Sequence, residues 1–554
     1  MKQELEQAVA AVVKELFGAD VAIELTRPEE RFGDYATNVA LQLAGKVGKS
    51  PREIAEGLAV KLRENLVAQV SDVSVAGPGF LNLKLTDSAL VAAMHAEPSK
   101  NHAGQVIVAE YSDPNPFKVL HAGHLYTSVV GDAIANLFEQ AGGEVHRVNF
   151  GGDVGLHVGK TLWAILEKLG GEYPEKLGEI PMEAQAEWMT QAYVHGNNAY
   201  EEDEDAKAKI IELNKRVYQF HEQDDHDSPL AQIYWTCRQW SYEYFNRFYD
   251  HIGSHFEKFY PESETAPIGL ATVREHTPGV YQESDGAIVF DGEKHGLHTR
   301  VFINSQGLPT YEAKDVGLIM KKWQDYHFDK SVVITGNDIV EYMKVVLKSI
   351  EQFQPELAQR STHLTHGIVK LAGGVKMSSR LGNILRATDV LDAAGEANKA
   401  IRGQEDMRTV LGAVKYAFLK QRIGGDIIYD PKESVSLEGN SGPYLQYAHA
   451  RARSILRKTD SQPTELNELQ EDERSLVRKI SEYPEVVEKA VDEMMPHHVC
   501  TYLYELAQTF NRFYEHNRVI GDQREQARLS LVQKYADTLQ VGLELLGISA
   551  PEQM

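Results

Sequence analysis

The 554-residue sequence contains very little cysteine, since Cys237 and Cys500 are its only two and lie far apart. This scarcity excludes a disulfide framework or a zinc ribbon, which need several suitably spaced cysteines, and is typical of a reducing cytoplasm. Long apolar runs are also missing, because no stretch approaches the roughly 18 residues of a membrane helix. The first residues mix charges and lack the apolar segment of a secretory signal. We therefore expect a cytoplasmic protein that does not enter a membrane.

Positive charge is the second shortage. The chain has 57 lysines and arginines against 81 aspartates and glutamates, a formal net charge of −24. Proteins that adhere broadly to nucleic acid usually show a basic footprint, so this balance disfavours such adhesion. It leaves recognition of RNA through local basic and aromatic patches open. At roughly 150 residues per domain, the length predicts about three to four domains.

The apolar pattern divides the chain into three regions. Residues 1–98 predict a small α+β unit, with short strands at 73–75 and 81–85 on either side of a Gly/Pro turn. Residues 103–390 begin with a predicted strand, helix and strand at 105–110, 121–140 and 145–150, which form a βαβ unit and imply a parallel sheet. An acidic run at 201–205 predicts a solvated surface. Residues 391–554 are almost entirely helical in pattern.

A histidine motif, His121-Ala122-Gly123-His124, lies where a predicted loop meets a helix. Three interpretations remain open. The histidines are ordinary surface or packing residues, or they are a metal pair, because positions i and i+3 share a helix face. In the third interpretation they belong to a nucleotide site, because a helix N-terminus offers free N–H groups and a positive dipole end to phosphate. Gly123 would then let the nucleotide approach the backbone, and the imidazoles would stabilise developing negative charge.

A second motif follows far along the chain, between two short apolar runs. Gly373 and Gly374 predict a hairpin turn. Lys376 and Arg380 then lie on a loop of the kind that closes over phosphates and supplies positive charge. Alone, this segment is best explained as a solvated basic turn. Together with the histidine motif in a parallel α/β frame, it favours an enzyme that uses a nucleotide.

These two motifs resemble the HIGH and KMSKS signatures of class I aminoacyl-tRNA synthetases. Four surrounding features narrow the resemblance to arginyl-tRNA synthetases. Residues 112–120 resemble that family's Ser-x-Asn-x-x-Lys run, and 311–315 its Tyr-x-x-x-Asp element. Residues 32–38 and 77–80 are similar to its N-terminal appended domain, and 439–451 and 546–554 to its C-terminal domain. The resemblance spans nearly the whole chain in the family's order.

The resemblance implies an α/β fold with a Rossmann-like parallel-sheet catalytic domain at 103–390. It also implies an N-terminal α+β appended domain at 1–98 that binds tRNA, and an all-α anticodon-binding domain at 391–554. The implied enzyme is a cytoplasmic monomer that makes arginyl-adenylate and pyrophosphate from arginine and ATP with Mg²⁺. It then transfers the arginyl group to the 2′-hydroxyl of the terminal adenosine of tRNA(Arg), with no protein-bound metal.

The resemblance also assigns residues to each step. Catalysis is expected from Lys118, His121, His124, Lys376 and Ser378, and ATP binding from His121, Gly123, His124, Gly336, Asp338, Val369 and Met377. Arginine is expected to contact Glu110, Ser112, Asn115, His157, Tyr311 and Asp315. These residue types suit the substrate, because a guanidinium group presents five donors to carboxylates and other acceptors. A site built for a guanidinium group rejects lysine, because lysine would leave polar groups of the site unpaired.

Two positions depart from the family pattern. Ser379 stands where the loop signature has its second lysine, and Lys118, just before the histidine motif, is expected to supply the missing charge. Residues 152–157 resemble an element that usually reads Gly-Asp-Trp-Gly-Thr-Gln, with Val154 and His157 replacing Trp and Gln. The substrate contact at His157 is therefore the weakest of the expected contacts.

The residues expected to bind tRNA are Phe80, Asn82, Tyr444, Tyr447, Arg451, Arg453 and Arg457. Charge for phosphates next to aromatic faces for unstacked bases is what recognition of single-stranded loops requires. Core packing of Phe80 and an exposed basic helix face at 451–457 are the alternatives. For the whole chain, the alternatives are a small-molecule adenylyltransferase of the HIGH superfamily, a His-x-x-His metal hydrolase and a non-catalytic RNA-binding module. The long helical C-terminal region, the lack of a third ligand at metal spacing and the presence of both signatures disfavour these in turn.

Overall fold

A computed structural model of the chain describes residues 1–372, 385–404, 406–466 and 468–554. The expected site residues Lys376, Met377 and Ser378 lie outside the described residues, as does the predicted turn at Gly373 and Gly374. Within the described residues, no helix is long and apolar enough to cross a membrane. Cys237 and Cys500 are both buried and unpaired.

The N-terminal unit is a three-stranded antiparallel sheet, order β1-β3-β2, covered by helices. Residues Leu5, Val9, Val12 and Val13 recur at helical spacing and face its core. The two predicted strands are confirmed and pair antiparallel, with Ala76 opposite Phe80. The elements are α1 (Lys2–Phe17), β1 (Tyr35–Thr37), α2 (Val39–Val47), α3 (Pro51–Asn65), β2 (Val70–Ala76), β3 (Phe80–Leu85) and α4 (Asp87–Met94).

The central region contains a five-stranded sheet, order β11-β10-β4-β5-β6, in which every pairing is parallel. The predicted βαβ unit is confirmed as its first strand, helix and strand. The elements are β4 (Val106–Glu110), α5 (Ala122–Gln140), β5 (Glu144–Gly151), α6 (Leu156–Leu169), α7 (Met182–Glu202), α8 (Glu204–Glu222), α9 (Pro229–Ile252), β6 (Lys258–Pro261), α10 (Glu262–Glu275), β7 (Gln282–Ser284), β8 (Ala287–Phe290), β9 (Arg300–Ile303), α11 (Tyr311–Tyr326), β10 (Lys330–Gly336), α12 (Val340–Glu351), α13 (Pro355–Arg360), β11 (Ser361–His366) and β12 (Val369–Leu371).

The strand order reverses beside β4. From β4 the chain moves to β5 and β6 on one side of the sheet, then returns to β10 and β11 on the other. The loops that leave the carboxyl ends of β4 and β10 therefore diverge and open a crevice. Open parallel sheets bind ligands at such a point, so the topology alone marks this edge as a candidate site.

Two insertions surround the crevice. Helices α6–α9 form a helical layer, and the acidic run at 201–205 is exposed there, as predicted. Strands β7, β8 and β9 form a separate antiparallel sheet. Helices α10 and α11 approach each other closely because Gly269 and Gly317 lie at their crossing, where any Cβ would collide with the backbone of the other helix. This close packing brings the start of α10 against the first turns of α11.

The described part of the C-terminal region is almost entirely helical, as predicted, and its one strand, β13, pairs parallel with β12. Its elements are α14 (Ala387–Arg402), α15 (Met407–Leu419), β13 (Ile427–Tyr429), α16 (Pro431–Ser434), α17 (Gly442–Leu456), α18 (Glu471–Ser481), α19 (Tyr483–Glu493), α20 (His497–His516) and α21 (Glu525–Leu545). The N-terminal unit docks on α18 and α19. Asp34 accepts a charged hydrogen bond from Arg474 at 2.6 Å, and Arg27 contacts Glu485 at 2.7 Å.

Candidate active site

The histidine motif forms the N-terminus of α5. His121 caps the helix, and its Nδ1 accepts a hydrogen bond from the Gly123 N–H at 3.1 Å. The Nδ1 of His124 accepts from the His121 N–H at 3.1 Å, and the two rings stack with centroids 3.7 Å apart. Burial lowers the pKa of both imidazoles, and the positive charge of Lys118 lowers the pKa values further. Both rings are therefore neutral at pH 7 and present Nε2–H as a donor.

Lys118 lies in the loop that leads into this helix. Its ammonium is 3.9 Å from the centre of the Tyr193 ring, and the helical layer holds the neighbouring backbone. Phe117 N–H donates to Ser241 Oγ at 2.9 Å on one side. Burial, together with the charge of Lys160, lowers the pKa of Lys118 to about 8. Lys118 is thus a partly dehydrated cation beside two neutral imidazole donors.

The other wall of the crevice follows β10. Gly336 ends that strand, and Asp338 follows it as an exposed carboxylate. Asp338 raises the pKa of both His121 and His366, which opposes the effect of burial, so its charge reaches His121 across the crevice. Val369 lies half-buried on β12. The structure therefore brings the expected nucleotide residues after β4 and β10 to one place.

The metal interpretation of the histidine motif requires a third ligand. In the described part of the chain, no group of three or more histidine, cysteine, aspartate or glutamate side chains is arranged to hold a metal ion. The Nδ1 atoms of His121 and His124 are already occupied by backbone N–H groups. This arrangement at a helix N-terminus suits the nucleotide interpretation.

A group of buried acidic side chains, which we call the acidic pocket, lies near the ends of β4 and β6; its members are Glu110, Glu262 and Asp315. Glu110 ends β4 and contacts the buried Lys322 ammonium, which also donates to Ser331 Oγ at 3.1 Å. Asp315, on α11, accepts a hydrogen bond from the Tyr342 hydroxyl. Burial, followed by the charge of Glu110, raises the pKa of Asp315 well above its ordinary value. A cationic ligand bound here would stabilise the ionised form of this carboxyl group.

Asp113 experiences the same environment. Its carboxylate accepts from the Phe150 N–H at 2.8 Å, while burial and then Glu110 raise its pKa well above the ordinary value. The loop around it is strained, because Ser112, Asp113 and Phe117 all adopt the left-handed backbone region, at φ of 74°, 49° and 70°. Ser112 is buried there, and its Oγ is 2.8 Å from the Tyr249 hydroxyl. Residues held in this way are typical of a pre-organised binding loop.

Three polar side chains converge on Gly152, just after β5. Asn115 Oδ1 accepts from the Gly152 N–H at 2.7 Å, and His157 Nε2 lies 2.7 Å from the Gly152 carbonyl oxygen. A Cβ on Gly152 would fall 3.1 Å from Glu262 Oε1, so this carboxylate borders the same point. Burial, followed by Lys118, lowers the pKa of His157 to about 3, so the ring is neutral, donates from Nε2 and keeps Nδ1 as an acceptor.

Glu262 is the functional candidate that the sequence analysis missed. It is buried at the start of α10, 2.5 Å from the Lys314 ammonium. Lys314 also lies 5.1 Å from the ring of Tyr311, which is 58% exposed at the mouth of the pocket. The sequence signal for Glu262 is its position directly after Tyr260-Pro261, which end another parallel strand of the same sheet. That strand has only four residues, and its pattern does not separate it from the helical region before it.

The expected tRNA-binding residues of the N-terminal unit lie on β3. Phe80 is exposed, with 41% of its surface accessible, so it is not a core residue. Asn82 is buried, with 5% of its surface accessible, in the middle of the sheet between β1 and β2. Phe80 is therefore accessible at the surface, while Asn82 lies beneath it.

The expected tRNA-binding residues of the C-terminal region lie on or just after α17. Tyr447 is exposed, whereas the Tyr444 hydroxyl accepts from Asn511 Nδ2 at 2.8 Å. Arg451 lies over the ring of Tyr514, with its guanidinium carbon 4.8 Å from the ring centre. Arg453 pairs with Asp537 at 2.9 Å and with Glu552 at 3.3 Å, and Arg457 pairs with Glu552 at 3.1 Å. Acidic side chains of the same region therefore already neutralise two of the three arginines.

Comparison with known proteins identifies the family. Residues 86–430, which hold the parallel sheet and the crevice, match the family model described as tRNA synthetases class I (R), catalytic domain. This match covers more than half of the chain. The chain belongs to the class I arginyl-tRNA synthetases. Residues 1–85 match the arginyl-tRNA synthetase N-terminal domain, and residues 445–554 match the DALR anticodon-binding domain.

Individual relatives agree with the family over the full length. The arginine–tRNA ligase of Porphyromonas gingivalis is 29% identical, across 100% of this chain and 99% of its own. The solved arginyl-tRNA synthetase of Thermus thermophilus is 26% identical, with a TM-score of 0.81 and full coverage of both chains. That of Plasmodium falciparum, 21% identical with a TM-score of 0.82, shares the fold. The resemblance and the fold class expected from the sequence are confirmed, and the chain is an enzyme that uses ATP to charge tRNA with arginine.

Proposed function

We propose that arginyl-adenylate forms in the crevice between β4 and β10, with ATP at the N-terminus of α5 and arginine in the acidic pocket. One observation carries this proposal: two imidazoles that use Nδ1 to accept backbone N–H groups at a helix N-terminus adjoin a pocket of buried carboxylates. The first feature suits a phosphate that gains negative charge, and the second suits a guanidinium cation. The two substrates would therefore meet at the edge of the sheet.

The activation step needs no protein nucleophile. A carboxylate oxygen of arginine attacks the α-phosphorus of ATP, and pyrophosphate leaves with the electrons of the broken P–O bond. His121 and His124 would donate from Nε2 to the α-phosphate oxygens, and Lys118 would balance charge on the leaving phosphates. Mg²⁺ enters with ATP as part of the substrate. The protein contributes positioning and fixed positive or dipolar groups, which is how catalysis of this kind mainly works.

Recognition of arginine is assigned to the groups around Gly152 and on α11. Asp315 supplies a carboxylate for the guanidinium. Glu262, whose charge is paired with Lys314, borders the space around Gly152 together with Asn115 and the Nδ1 acceptor of His157. Ser112 and Glu110 lie deeper in the pocket, and Tyr311 lies at its mouth. Lysine would reach the carboxylates with one ammonium but would leave the remaining acceptors unpaired.

The second step and the RNA partner complete the proposal. The arginyl group would pass to the 2′-hydroxyl of the terminal adenosine of tRNA(Arg), held by the catalytic domain at 103–390. The unit at 1–98 would contact tRNA through Phe80, and the region at 391–554 through Tyr447 and Arg451. We further propose that the enzyme acts as a cytoplasmic monomer. The docking of the N-terminal unit on α18 and α19 supports joint action of the two outer regions.

Pyrophosphate exchange with each amino acid, with and without total tRNA, tests this function. Among the amino acids, only arginine should support exchange. Total tRNA should bind the enzyme in a gel shift. Exchange with a different amino acid, or none under either condition, would contradict the proposal. Asp315→Asn should raise the KM for arginine by about 100-fold, because it removes a buried carboxylate that makes no ion pair within the described residues. Asp325→Asn is the matched control, since Asp325 lies on the same helix and pairs with Lys258 and Lys321 instead.

A further inference from the structure

A buried histidine at the end of β11 reaches the first turn of α5. His366 has 3% of its surface exposed, and its Nε2 lies 2.6 Å from Thr127 Oγ1. The Thr127 hydroxyl donates in turn to the Gly123 carbonyl oxygen at 2.8 Å. The ring of Tyr126 meets His366 edge-on, with centroids 4.6 Å apart, and fixes its orientation. One chain of contacts thus links β11 to the glycine of the histidine motif.

A second histidine of the same strand repeats this arrangement on the opposite wall. His363 Nε2 lies 2.8 Å from Thr335 Oγ1, and the Thr335 hydroxyl donates to the Gly336 carbonyl oxygen at 3.0 Å. Thr335 and Gly336 are the last two residues of β10. Both glycines that border the crevice therefore have a carbonyl held by a threonine, and each threonine is held by a histidine of β11.

Proton counting gives the His363 contact one direction. The Thr335 hydroxyl has a single proton and gives it to the Gly336 carbonyl, so His363 must donate Nε2–H to the threonine oxygen. For His366 the direction depends on which ring nitrogen carries the proton. A threonine hydroxyl commonly donates to a nearby backbone carbonyl. Here the histidine N–H also donates to the threonine oxygen, and this second hydrogen bond restricts rotation of the hydroxyl. The histidine thereby fixes the direction of the threonine donor.

His366 has an additional demand. Its Nδ1 lies 2.7 Å from the Gly367 carbonyl oxygen, which also requires a proton. A neutral ring has one N–H, so its two acceptors compete for it. A glutamine at this position would offer two amide N–H groups without a charge. His366→Gln is therefore the conservative replacement at this position.

We propose that His363 and His366 are positioning residues that hold the Gly336 and Gly123 peptides in the orientation that ATP binding requires. A peptide group is planar, so fixing the Gly123 carbonyl also fixes the N–H of His124, and fixing Gly336 fixes the start of the segment that carries Asp338. Neither histidine touches the nucleotide. The inference rests on the proposed roles of Gly123 and Gly336 in ATP binding.

Pyrophosphate exchange in the presence of tRNA tests the proposal. The kcat/KM for ATP is compared with the KM for arginine in each variant. For His363→Phe and His366→Phe we expect kcat/KM for ATP to fall about tenfold each, the effect of one lost buried hydrogen bond, with the KM for arginine within about twofold. His363→Gln and His366→Gln should restore most of the loss, because the amide donates to the same threonine. Thr127→Val should match His366→Phe, and the double variant should fall no further, because both act in one chain.

His276→Phe is the matched control. This histidine bonds the Thr272 carbonyl oxygen at 2.8 Å and stacks on Phe353 in the same domain, away from the crevice. It should leave both kinetic constants unchanged. If the phenylalanine variants do not fold, Thr127→Val and Thr335→Val against their serine counterparts decide the question. Unchanged ATP kinetics, or equal changes for ATP and arginine, would overturn the inference. A wild-type enzyme that failed to exchange pyrophosphate would instead overturn the proposed function.

Discussion

Lys322 and Glu110 form a buried ion pair that joins α11 to the central strand β4. The Lys322 side chain has no exposed surface, and that of Glu110 has 3%. Ser331 on β10 accepts a further hydrogen bond from the same ammonium at 3.1 Å. Glu110 is therefore balanced by a cation of the protein itself, whereas Asp315 is held by the neutral Tyr342 hydroxyl. We expect the guanidinium of the substrate to depend more on Asp315 than on Glu110.

The ion pair predicts a large loss of stability when one partner is removed. Lys322→Met should lower the free energy of unfolding of the catalytic domain by about 3–5 kcal/mol, because it leaves the Glu110 carboxylate buried without a partner. Lys321→Met is the control, since Lys321 pairs with Asp325 nearer the surface and should cost about 1 kcal/mol or less. Urea unfolding followed by tryptophan fluorescence measures both. Equal losses would contradict the assignment, and Glu110→Gln added to Lys322→Met should recover part of the loss.

The acidic pocket predicts that arginine binds better as the pH rises from acid to neutral. Burial and neighbouring carboxylates raise the pKa of Asp315 and Asp113 well above their ordinary values. A carboxyl group with a raised pKa keeps its proton to a higher pH, and the protonated form cannot pair with a guanidinium. The KM for arginine should therefore fall with increasing pH, and Asp315→Asn should flatten this dependence. Steady-state exchange at several pH values measures it, with the KM for ATP as the internal reference.

The unit from β4 to β5 was predictable from the sequence, but the partners within the acidic pocket were not. Apolar runs and helical spacing predict the unit from β4 to β5, because these elements are long and regular. Lys322 gives no such signal, since lysine is normally exposed and its burial depends on a carboxylate more than 200 positions earlier in the chain. The positions of Lys314 and Tyr342 are likewise explained only by their contacts with Glu262 and Asp315. Such pairs arise from tertiary packing, which no local pattern records.

The same limit applies to the basic cluster on α17. Spacing predicts that Arg451, Arg453 and Arg457 form one patch, and they do lie close together along the end of that helix. Asp537 and Glu552, however, approach from α21 and the C-terminus to pair with two of them. Local composition showed the positive charges, and only the fold shows which of them are already neutralised.

Lys118 predicts a loss of activity both on substitution and at high pH. Lys118→Ala should lower the pyrophosphate exchange rate by about 100- to 1000-fold, the usual cost of one electrostatic contact to a transition state. Because its pKa is lowered to about 8, the wild-type enzyme should lose activity as the pH rises past 8 and the ammonium loses its proton. Lys160→Met removes a nearby positive charge and should extend activity to higher pH. A near-normal rate for Lys118→Ala would exclude the proposed role.

Arg451 is predicted to contribute more to tRNA binding than its two neighbours. It makes no ion pair within the described residues and lies over the Tyr514 ring, so its charge remains available to a phosphate. Arg451→Ala should weaken tRNA binding and reduce the slope of log affinity against log salt by about one phosphate contact. Arg453→Ala should change this slope less, because Arg453 already pairs with Asp537 and Glu552, and should instead loosen the contact between α17 and α21. Affinities measured across a salt series compare the two. If Arg453→Ala reduced the slope as much as Arg451→Ala, the internal ion pairs would have to open on tRNA binding, and the distinction between these arginines would be wrong.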